Sequence, residues 1–109
     1  MKIWIPIGLV VILAFSLLAM QTMQAPNYGA KYNSDVILYS TSWCPNCAQT
    51  RAFLSASGIP YKDFDIEQSS TAYQEHKSLG GRGVPVLLVK GVVIQGYNPK
   101  AIQRAYSGS

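Results

Sequence analysis

Two cysteines, Cys44 and Cys47, are the only cysteines in the chain, and two residues separate them. A β-forming apolar run at residues 36–39 comes just before them, and a helical pattern over residues 45–57 comes just after. A pair this close closes too small a loop to constrain the unfolded chain, so a stabilising disulfide is a poor explanation for it. A dithiol at a strand-to-helix junction instead indicates the exchange of two electrons with disulfides.

The size and charge of the chain argue against other classes of protein. The chain has 109 residues, room for one domain, and two cysteines are too few for a disulfide-stapled fold. The net charge is +4, but the basic residues form no run or stripe, so nucleic-acid binding is not indicated. One cysteine pair with a single histidine, His76, does not complete a tetrahedral zinc site, so no metal site is predicted. His76 itself is predicted to lie on a solvated helix face without a role.

Residues 1–22 are predicted to form one N-terminal hydrophobic helix, a signal anchor or signal peptide. Residues 3–20 carry no charge, and about 18 apolar residues is the lower limit for spanning a bilayer. Lys2 precedes this run and Lys31 is the next charge after it, which favours a domain on the extracytoplasmic (periplasmic) side. The alternative is secretion after signal cleavage. The long apolar core and the absence of a clean small-residue site favour an uncleaved anchor.

The rest of the chain divides into a linker and one domain. Residues 23–34 are polar and contain Pro26 and Gly29, so they are predicted to be a flexible linker. In the domain, residues 35–109, strands are predicted at 36–39, 61–66, 84–89 and 92–95, and helices at 45–57, 71–79 and 99–106. This β-α-β-α-β-β-α order predicts an α/β fold with a four-stranded mixed sheet and three flanking helices.

Three segments of the domain resemble the glutaredoxins and, more broadly, the thioredoxin superfamily. They are Tyr39-Ser-Thr-Ser-Trp-Cys-Pro-Asn-Cys47, Gly83-Val-Pro-Val86 and Gly96-Tyr-Asn-Pro99. The resemblance implies a thioredoxin-like (glutaredoxin) fold with Pro85 at the superfamily's cis-proline position. Two departures stand out: Thr41 replaces a lysine common in glutaredoxins, and the last segment has one glycine and no carboxylate to hold glutathione.

The two thiols are predicted to have different roles. Cys44 would be the N-cap of the helix that starts at Pro45, where backbone N–H groups and the helix dipole stabilise a thiolate, so it is the predicted nucleophile. Cys47, one turn later and deeper, is the predicted resolving thiol. Pro45 and Asn46 lie between the sulfurs and influence the reduction potential.

Substrate-binding residues are predicted around the thiols: Trp43, Pro45, Arg82, Val84, Pro85, Tyr97 and Asn98. If Pro85 is cis, the backbone of Val84 can pair with an extended substrate. Trp43 either contacts substrate or is a plain packing residue. Arg82 either attracts a carboxylate and favours the Cys44 thiolate, or is only solvated. Tyr97 and Asn98 either line the partner groove or serve as a hydrophobic contact and a helix cap.

The leading hypothesis is a membrane-tethered thiol–disulfide oxidoreductase acting on protein disulfides or glutathione mixed disulfides. No cofactor is required; glutathione and a membrane dithiol are the candidate electron donors. The resemblance also brings in an iron–sulfur cluster shared by two chains, but the proline after Cys44 is typical of the redox-active relatives. The alternative function is a peptide- or metalloprotein-binding assembly module in which the thiols are secondary. An orientation with the domain on the cytosolic face of the membrane is a third alternative.

Overall fold

The computed structural model describes residues 26–108 of the chain. The N-terminal hydrophobic helix predicted over residues 1–22 lies outside the described residues. Among residues 26–108, none of the helices has both the length and the apolar character needed to cross a membrane.

Four strands and four helices make up the described part of the chain. In order they are α1 (Tyr28–Tyr32), β1 (Val36–Ser40), α2 (Pro45–Ala56), β2 (Lys62–Asp65), α3 (Ser70–Ser78), β3 (Val86–Val89), β4 (Val92–Gln95) and α4 (Pro99–Ser107). The predicted β-α-β-α-β-β-α order is confirmed from β1 onward. β3 begins at Val86 and not at residue 84 as predicted, because residues 84–85 belong to the turn that precedes it.

The strands form one mixed sheet, as predicted, and their order in it is β2-β1-β3-β4. β1 is parallel to β2, which its crossover helix α2 requires, and antiparallel to β3. β3 and β4 form a hairpin whose turn residues, Lys90 and Gly91, have φ angles of 48° and 86°. Two successive positive φ angles suit the twist of a tight hairpin, and glycine adopts them without steric cost.

Both faces of the central strands are buried. Every residue of β1 and β3 is buried, which explains why these strands are continuous apolar runs and not alternating ones. One face packs on α2 and α4 through Leu38, Leu87, Leu54 and Ile102. The other face packs on α3 and α1, and the buried residues there are Ile37, Tyr39, Ala72, Leu79, Val86 and Leu88. The sheet therefore supports helices on both sides and holds the loops at its ends in fixed positions.

Residues 28–32 form the helix α1, although residues 23–34 are predicted to be a linker. The side chain of Asn27 caps this helix by accepting a hydrogen bond from the Ala30 N–H at 3.3 Å. The Tyr32 ring packs on Phe64 with ring centroids 4.6 Å apart. Because tertiary contacts hold this five-residue helix, its own sequence gives little indication of it.

His76 lies in the core and not on a solvated face, so that prediction is wrong. It is 3% exposed and shares the buried face of α3 with Ala72 and Glu75. Its Nε2 lies 2.7 Å from the carbonyl oxygen of Gly83. The buried face of this helix carries an acid and an imidazole where apolar residues are usual, and the sequence pattern therefore looks like a polar surface.

Candidate active site

The sheet brings two loops together at one end. Because β1 and β3 are antiparallel and Tyr39 pairs with Val86, the end of β1 lies beside the start of β3. The first loop carries Cys44, and the second carries Val84 and Pro85. The Val84–Pro85 peptide bond is cis, as the resemblance predicts. The Cys44 thiol donates to the Val84 carbonyl oxygen, with sulfur and oxygen 3.7 Å apart, so the two loops are in direct contact.

Cys44 is the N-cap of α2, as predicted, and Pro45 begins the helix. Its sulfur accepts a hydrogen bond from the Cys47 N–H at 3.3 Å. Burial alone raises the pKa of Cys44. Hydrogen bonds from the Cys47 thiol and from the backbone N–H groups of Cys47 and Asn46, together with the positive charge of Arg51, outweigh burial, and the net pKa is lowered. The Cys44 thiolate therefore forms at a lower pH than the thiolate of an ordinary cysteine.

Cys47 has the opposite electrostatic environment. Its side chain is 0% exposed, and both cysteines are free thiols. Burial, followed by its hydrogen bond to Cys44, raises the pKa of Cys47 to about 11. Cys47 therefore keeps its proton while Cys44 can lose one. The same chemical group thus has a lowered pKa and an exposure of 7% at one position, and a raised pKa and no exposure at the other.

Arg51 is a site residue that the sequence-based predictions did not include. It lies one turn after Cys47 on α2, and its guanidinium donates to Thr41 O at 3.1 Å and Ser40 Oγ at 2.9 Å. An ion pair with Asp63, 2.6 Å from Arg51 Nε to the carboxylate, fixes it from the other side. Its charge lowers the pKa of both thiols. The four-residue spacing from Cys47, which places both side chains on one helix face, is a signal that could have identified it.

Thr41 occupies the position where many glutaredoxins have a lysine. It is 2% exposed, and its hydroxyl has no hydrogen-bond partner among residues 26–108. Its carbonyl accepts from Arg51, and its backbone N–H lowers the pKa of Cys47 by hydrogen bonding to the sulfur. Thr41 contributes no charge, and the cation that lowers the pKa of both thiols, Arg51, approaches from α2 and not from the preceding loop.

Two aromatic residues among the predicted substrate-binding positions are exposed on the surface. Trp43 is 66% exposed, and its indole N–H donates to the Glu67 carboxylate at 3.0 Å. Tyr97 is also exposed, and its ring meets Phe53 edge-on with centroids 6.5 Å apart. These contacts orient both rings and leave part of each ring exposed. Trp43 directly precedes Cys44 in the chain, and Tyr97 contacts α2 through Phe53.

The remaining predicted substrate-binding residues divide into three groups. Pro45 and Arg82 are exposed, and Pro85 is buried. The side chain of Asn98 accepts a hydrogen bond from Ala101 N at 3.1 Å, so it caps α4, which is the alternative that the sequence left open. The Gly96 N–H donates to Pro85 O at 2.8 Å, and this bond places the segment before α4 beside the cis-proline turn.

The structure thus brings Cys44, Cys47, Val84 and Pro85 into one site, with Trp43 and Pro45 at its edge. Across the described range 26–108, no three side chains of the types His, Cys, Asp and Glu come close enough to hold a metal ion.

The chain is similar to known proteins in sequence and in structure. A family model described as Glutaredoxin matches residues 36–94. An uncharacterised glutaredoxin-like 8.6 kDa protein in the rubredoxin operon of Clostridium pasteurianum is 32% identical over 68 residues, which cover 62% of this chain and 91% of that protein.

Solved structures share the fold at low sequence identity. The NrdH-redoxin of Escherichia coli, described as a glutaredoxin-like protein with a thioredoxin-like activity profile, superposes with a TM-score of 0.59 at 20% identity, over 63% of this chain and 91% of that one. A buckwheat glutaredoxin–glutathione complex superposes with a TM-score of 0.56 at 20% identity, over 70% of this chain and 72% of that one. The predicted thioredoxin-like fold is therefore confirmed.

Proposed function

Because the chain belongs to the glutaredoxin family, we propose that it is a thiol–disulfide oxidoreductase whose nucleophile is Cys44 and whose resolving thiol is Cys47. The supporting observation is that the pKa values of two thiols one helical turn apart are shifted in opposite directions. The pKa of Cys44 is lowered by hydrogen bonds and by Arg51, and the pKa of Cys47 is raised to about 11 by burial. Attack by one thiolate, followed by resolution by the other, needs this difference.

The reaction balances in two steps. The Cys44 thiolate attacks one sulfur of a substrate disulfide, forms a mixed disulfide with it, and displaces the other substrate sulfur as a thiolate. Cys47 then loses its proton and attacks the Cys44 sulfur, releasing the second substrate thiolate and leaving a Cys44–Cys47 disulfide. The substrate gains two electrons and two protons overall, and a dithiol or two thiols must return the electrons to the protein.

The substrate class proposed is protein disulfides or glutathione mixed disulfides. Val84, in contact with Cys44, offers backbone groups at the site, and Trp43, the residue before Cys44, offers exposed aromatic surface. A turn with available backbone groups next to an exposed aromatic ring suits an extended peptide. Glutathione is proposed as the reductant that returns electrons to the protein. The segment at residues 95–99 contains Gly96 but no carboxylate that could bind the amino group of glutathione.

Two serine variants test the function. With Cys44→Ser the protein should lose all disulfide reduction, because the nucleophile is gone. With Cys47→Ser the first attack remains but resolution does not, so a mixed disulfide at Cys44 should accumulate with a peptide disulfide probe and be visible by intact mass. Full activity of the Cys44→Ser variant would refute the proposed function and favour the peptide- or metalloprotein-binding module.

The reduction potential of the Cys44/Cys47 couple separates the substrate classes. A value of about −200 to −230 mV, together with activity on a glutathione mixed disulfide, is the result expected of a glutathione-linked enzyme. Activity on a peptide disulfide without activity on the glutathione mixed disulfide would assign protein disulfides as the substrate.

We further propose that residues 1–22 anchor the protein in a membrane with its domain on the extracytoplasmic side, where a membrane dithiol would supply electrons. Support comes from the uncharged apolar run at residues 3–20 after Lys2. A tether would raise the local concentration of a membrane-bound donor. A topology reporter fused after Ser109 should be active outside the cytoplasm; a cytoplasmic signal would refute this orientation, and release of the protein in soluble form would indicate signal cleavage.

A further inference from the structure

A histidine outside the thiol site contacts the turn that carries Val84. His76, on the buried face of α3, places Nε2 2.7 Å from the carbonyl oxygen of Gly83. A carbonyl oxygen can only accept, so the Nε2 nitrogen carries the proton and donates. Gly83 directly precedes Val84, whose own carbonyl oxygen accepts from the Cys44 thiol. Two consecutive carbonyls thus link the imidazole to the reactive sulfur.

The imidazole ring also packs against the other end of the same turn. A Cβ atom at Gly81 would lie 2.5 Å from two atoms of the His76 ring, a distance that real side chains do not tolerate. The Gly81 N–H in turn donates to the His76 carbonyl oxygen at 2.9 Å. His76 therefore touches the turn at residue 81 by packing and at residue 83 by a hydrogen bond, and Arg82 lies between these two contacts.

Stability alone does not explain a histidine at this position. The residue is 3% exposed, and its Nδ1 is buried with no hydrogen-bond partner within the described part of the chain. A half-satisfied buried polar side chain is costly, and an apolar residue of similar size would avoid that cost. Gly83, in contrast, is exposed, so its carbonyl could be hydrated without the histidine. The bond from His76 to Gly83 thus fixes the turn more than it satisfies the carbonyl.

We propose that His76 is a positioning residue for the thiol site: it holds residues 81–83 so that the Val84 carbonyl stays at the Cys44 sulfur and the Val84 backbone stays in place for a substrate. The inference deepens the proposed function and rests on it for the substrate, but its effect on the sulfur does not depend on catalysis.

A pair of substitutions at His76 separates positioning from packing. His76→Met keeps an apolar side chain of similar size and removes the donor, whereas His76→Gln keeps an N–H donor near the position of Nε2. With Met, KM for a peptide disulfide should rise about fivefold with a smaller change in kcat, because a docking contact is lost rather than a reacting group. With Gln, KM should return close to the wild-type value.

The rate at which iodoacetamide alkylates Cys44, measured as a function of pH, reports on the ionisation of its sulfur. The bond to Val84 O can be made only by the protonated thiol, so it favours the thiol over the thiolate. When the turn relaxes, this bond weakens, and Cys44 should alkylate about twofold faster below its titration midpoint in His76→Met than in wild type. The profile of His76→Gln should match wild type, and so should that of Gln74→Met at an exposed position of the same helix.

Gly81→Ala provides a second approach from the other side of the contact, because its Cβ would push the imidazole away. It should shift the alkylation profile in the same direction as His76→Met. If the wild-type protein reduced no disulfide, the proposed function would fail while the alkylation profile still decided the role of His76. The inference is overturned if His76→Met leaves both KM and the alkylation profile unchanged, or if Gln and Met at this position are equally impaired.

Discussion

Cys44 and Cys47 are the same residue type three positions apart, and their surroundings shift the pKa values of the two thiols in opposite directions. Cys44 lies at a helix start, where N–H groups without helical partners point at its sulfur. Cys47 lies inside the first turn, away from solvent. The sequence predicts this difference because Pro45 marks the helix start and sets both positions. Arg51, the cation that lowers the pKa of Cys44, was not predicted, because its position depends on an ion pair with Asp63 in strand β2.

Arg51→Met should weaken the nucleophile. The substitution keeps the length of the side chain and removes the charge that lowers the pKa of Cys44. The pKa of Cys44 should rise, and iodoacetamide should alkylate Cys44 about threefold more slowly at pH 7. Rates are read by mass spectrometry on the Cys47→Ser background, so that only one thiol reacts.

Arg51→Lys is the matched control for charge. It keeps the positive charge and loses the planar fork that reaches both Thr41 O and Ser40 Oγ. Its alkylation rate should fall between those of Arg51→Met and wild type. Equal rates for wild type and Arg51→Met would show that the charge does not act on the nucleophile.

At the scale of elements, the helices were predictable where their apolar positions and capping residues agree with their environment. Proline starts α2 and α4, and both begin where predicted. The inner face of α3 was not predictable, because it carries Glu75 and His76 among its buried residues. Nor was α1, whose five residues have no buried member and depend on partners from α3 and β2. In both cases the missing information is the partner across the contact.

Glu75→Leu should detach α1 from the domain. The Glu75 carboxylate accepts from Lys31 at 2.6 Å, Tyr32 at 2.7 Å and Tyr39 at 2.8 Å. Burial raises the pKa of Glu75, but these hydrogen bonds outweigh burial and the net pKa is lowered. Losing the acceptor leaves a buried tyrosine hydroxyl unpaired, so the free energy of unfolding should fall by about 1–3 kcal/mol. Urea unfolding measures the loss, and hydrogen exchange at residues 28–32 reports the detachment.

Gln74→Leu at the neighbouring exposed position of α3 is the control for this substitution. It should leave the unfolding free energy and the exchange of residues 28–32 near wild type. Protection of residues 28–32 that survives Glu75→Leu would show that the aromatic contact between Tyr32 and Phe64 suffices to hold α1.

At the scale of the whole molecule, the order of the strands assembles the site. The two thiols and the cis-proline turn are about forty residues apart in sequence, and the antiparallel pairing of β1 with β3 places them together. The sequence predicted a mixed sheet, but not that β1 pairs with β3. The resemblance to the glutaredoxins in three separate segments predicted that residues 39–47 and residues 83–86 belong to one site.

The reduced protein should lose stability as pH rises from about 8.5 to 10. An unfolded cysteine ionises with a pKa of about 8.5, while the pKa of Cys47 in the folded protein is raised to about 11. Above pH 8.5 the unfolded chain therefore binds fewer protons at this position than the folded chain, and the free energy of unfolding falls. By pH 10 the loss should reach about 2 kcal/mol. Urea unfolding in the presence of a phosphine reductant measures it.

Cys47→Ser isolates this contribution, because serine does not titrate in this range and its hydroxyl can still donate to the Cys44 sulfur. The difference in unfolding free energy between wild type and Cys47→Ser should change by about 2 kcal/mol between pH 8 and 10, with wild type losing stability relative to the variant. A difference that stays constant over this interval would show that Cys47 ionises in the folded protein as readily as in the unfolded one.

The position of α1 determines at which end of the domain the preceding segment of the chain is attached. Pro26 and Asn27 line a depression together with Lys90 and Gly91, at the hairpin tip. Cys44 lies at the opposite end of these strands, beside the start of β3. At about 3.3 Å per residue, the four residues of β3 separate the two poles by at least about 13 Å. A tether attached upstream of Pro26 therefore enters the domain at the end of the sheet opposite Cys44, so that a substrate and the point of attachment do not compete for the same end.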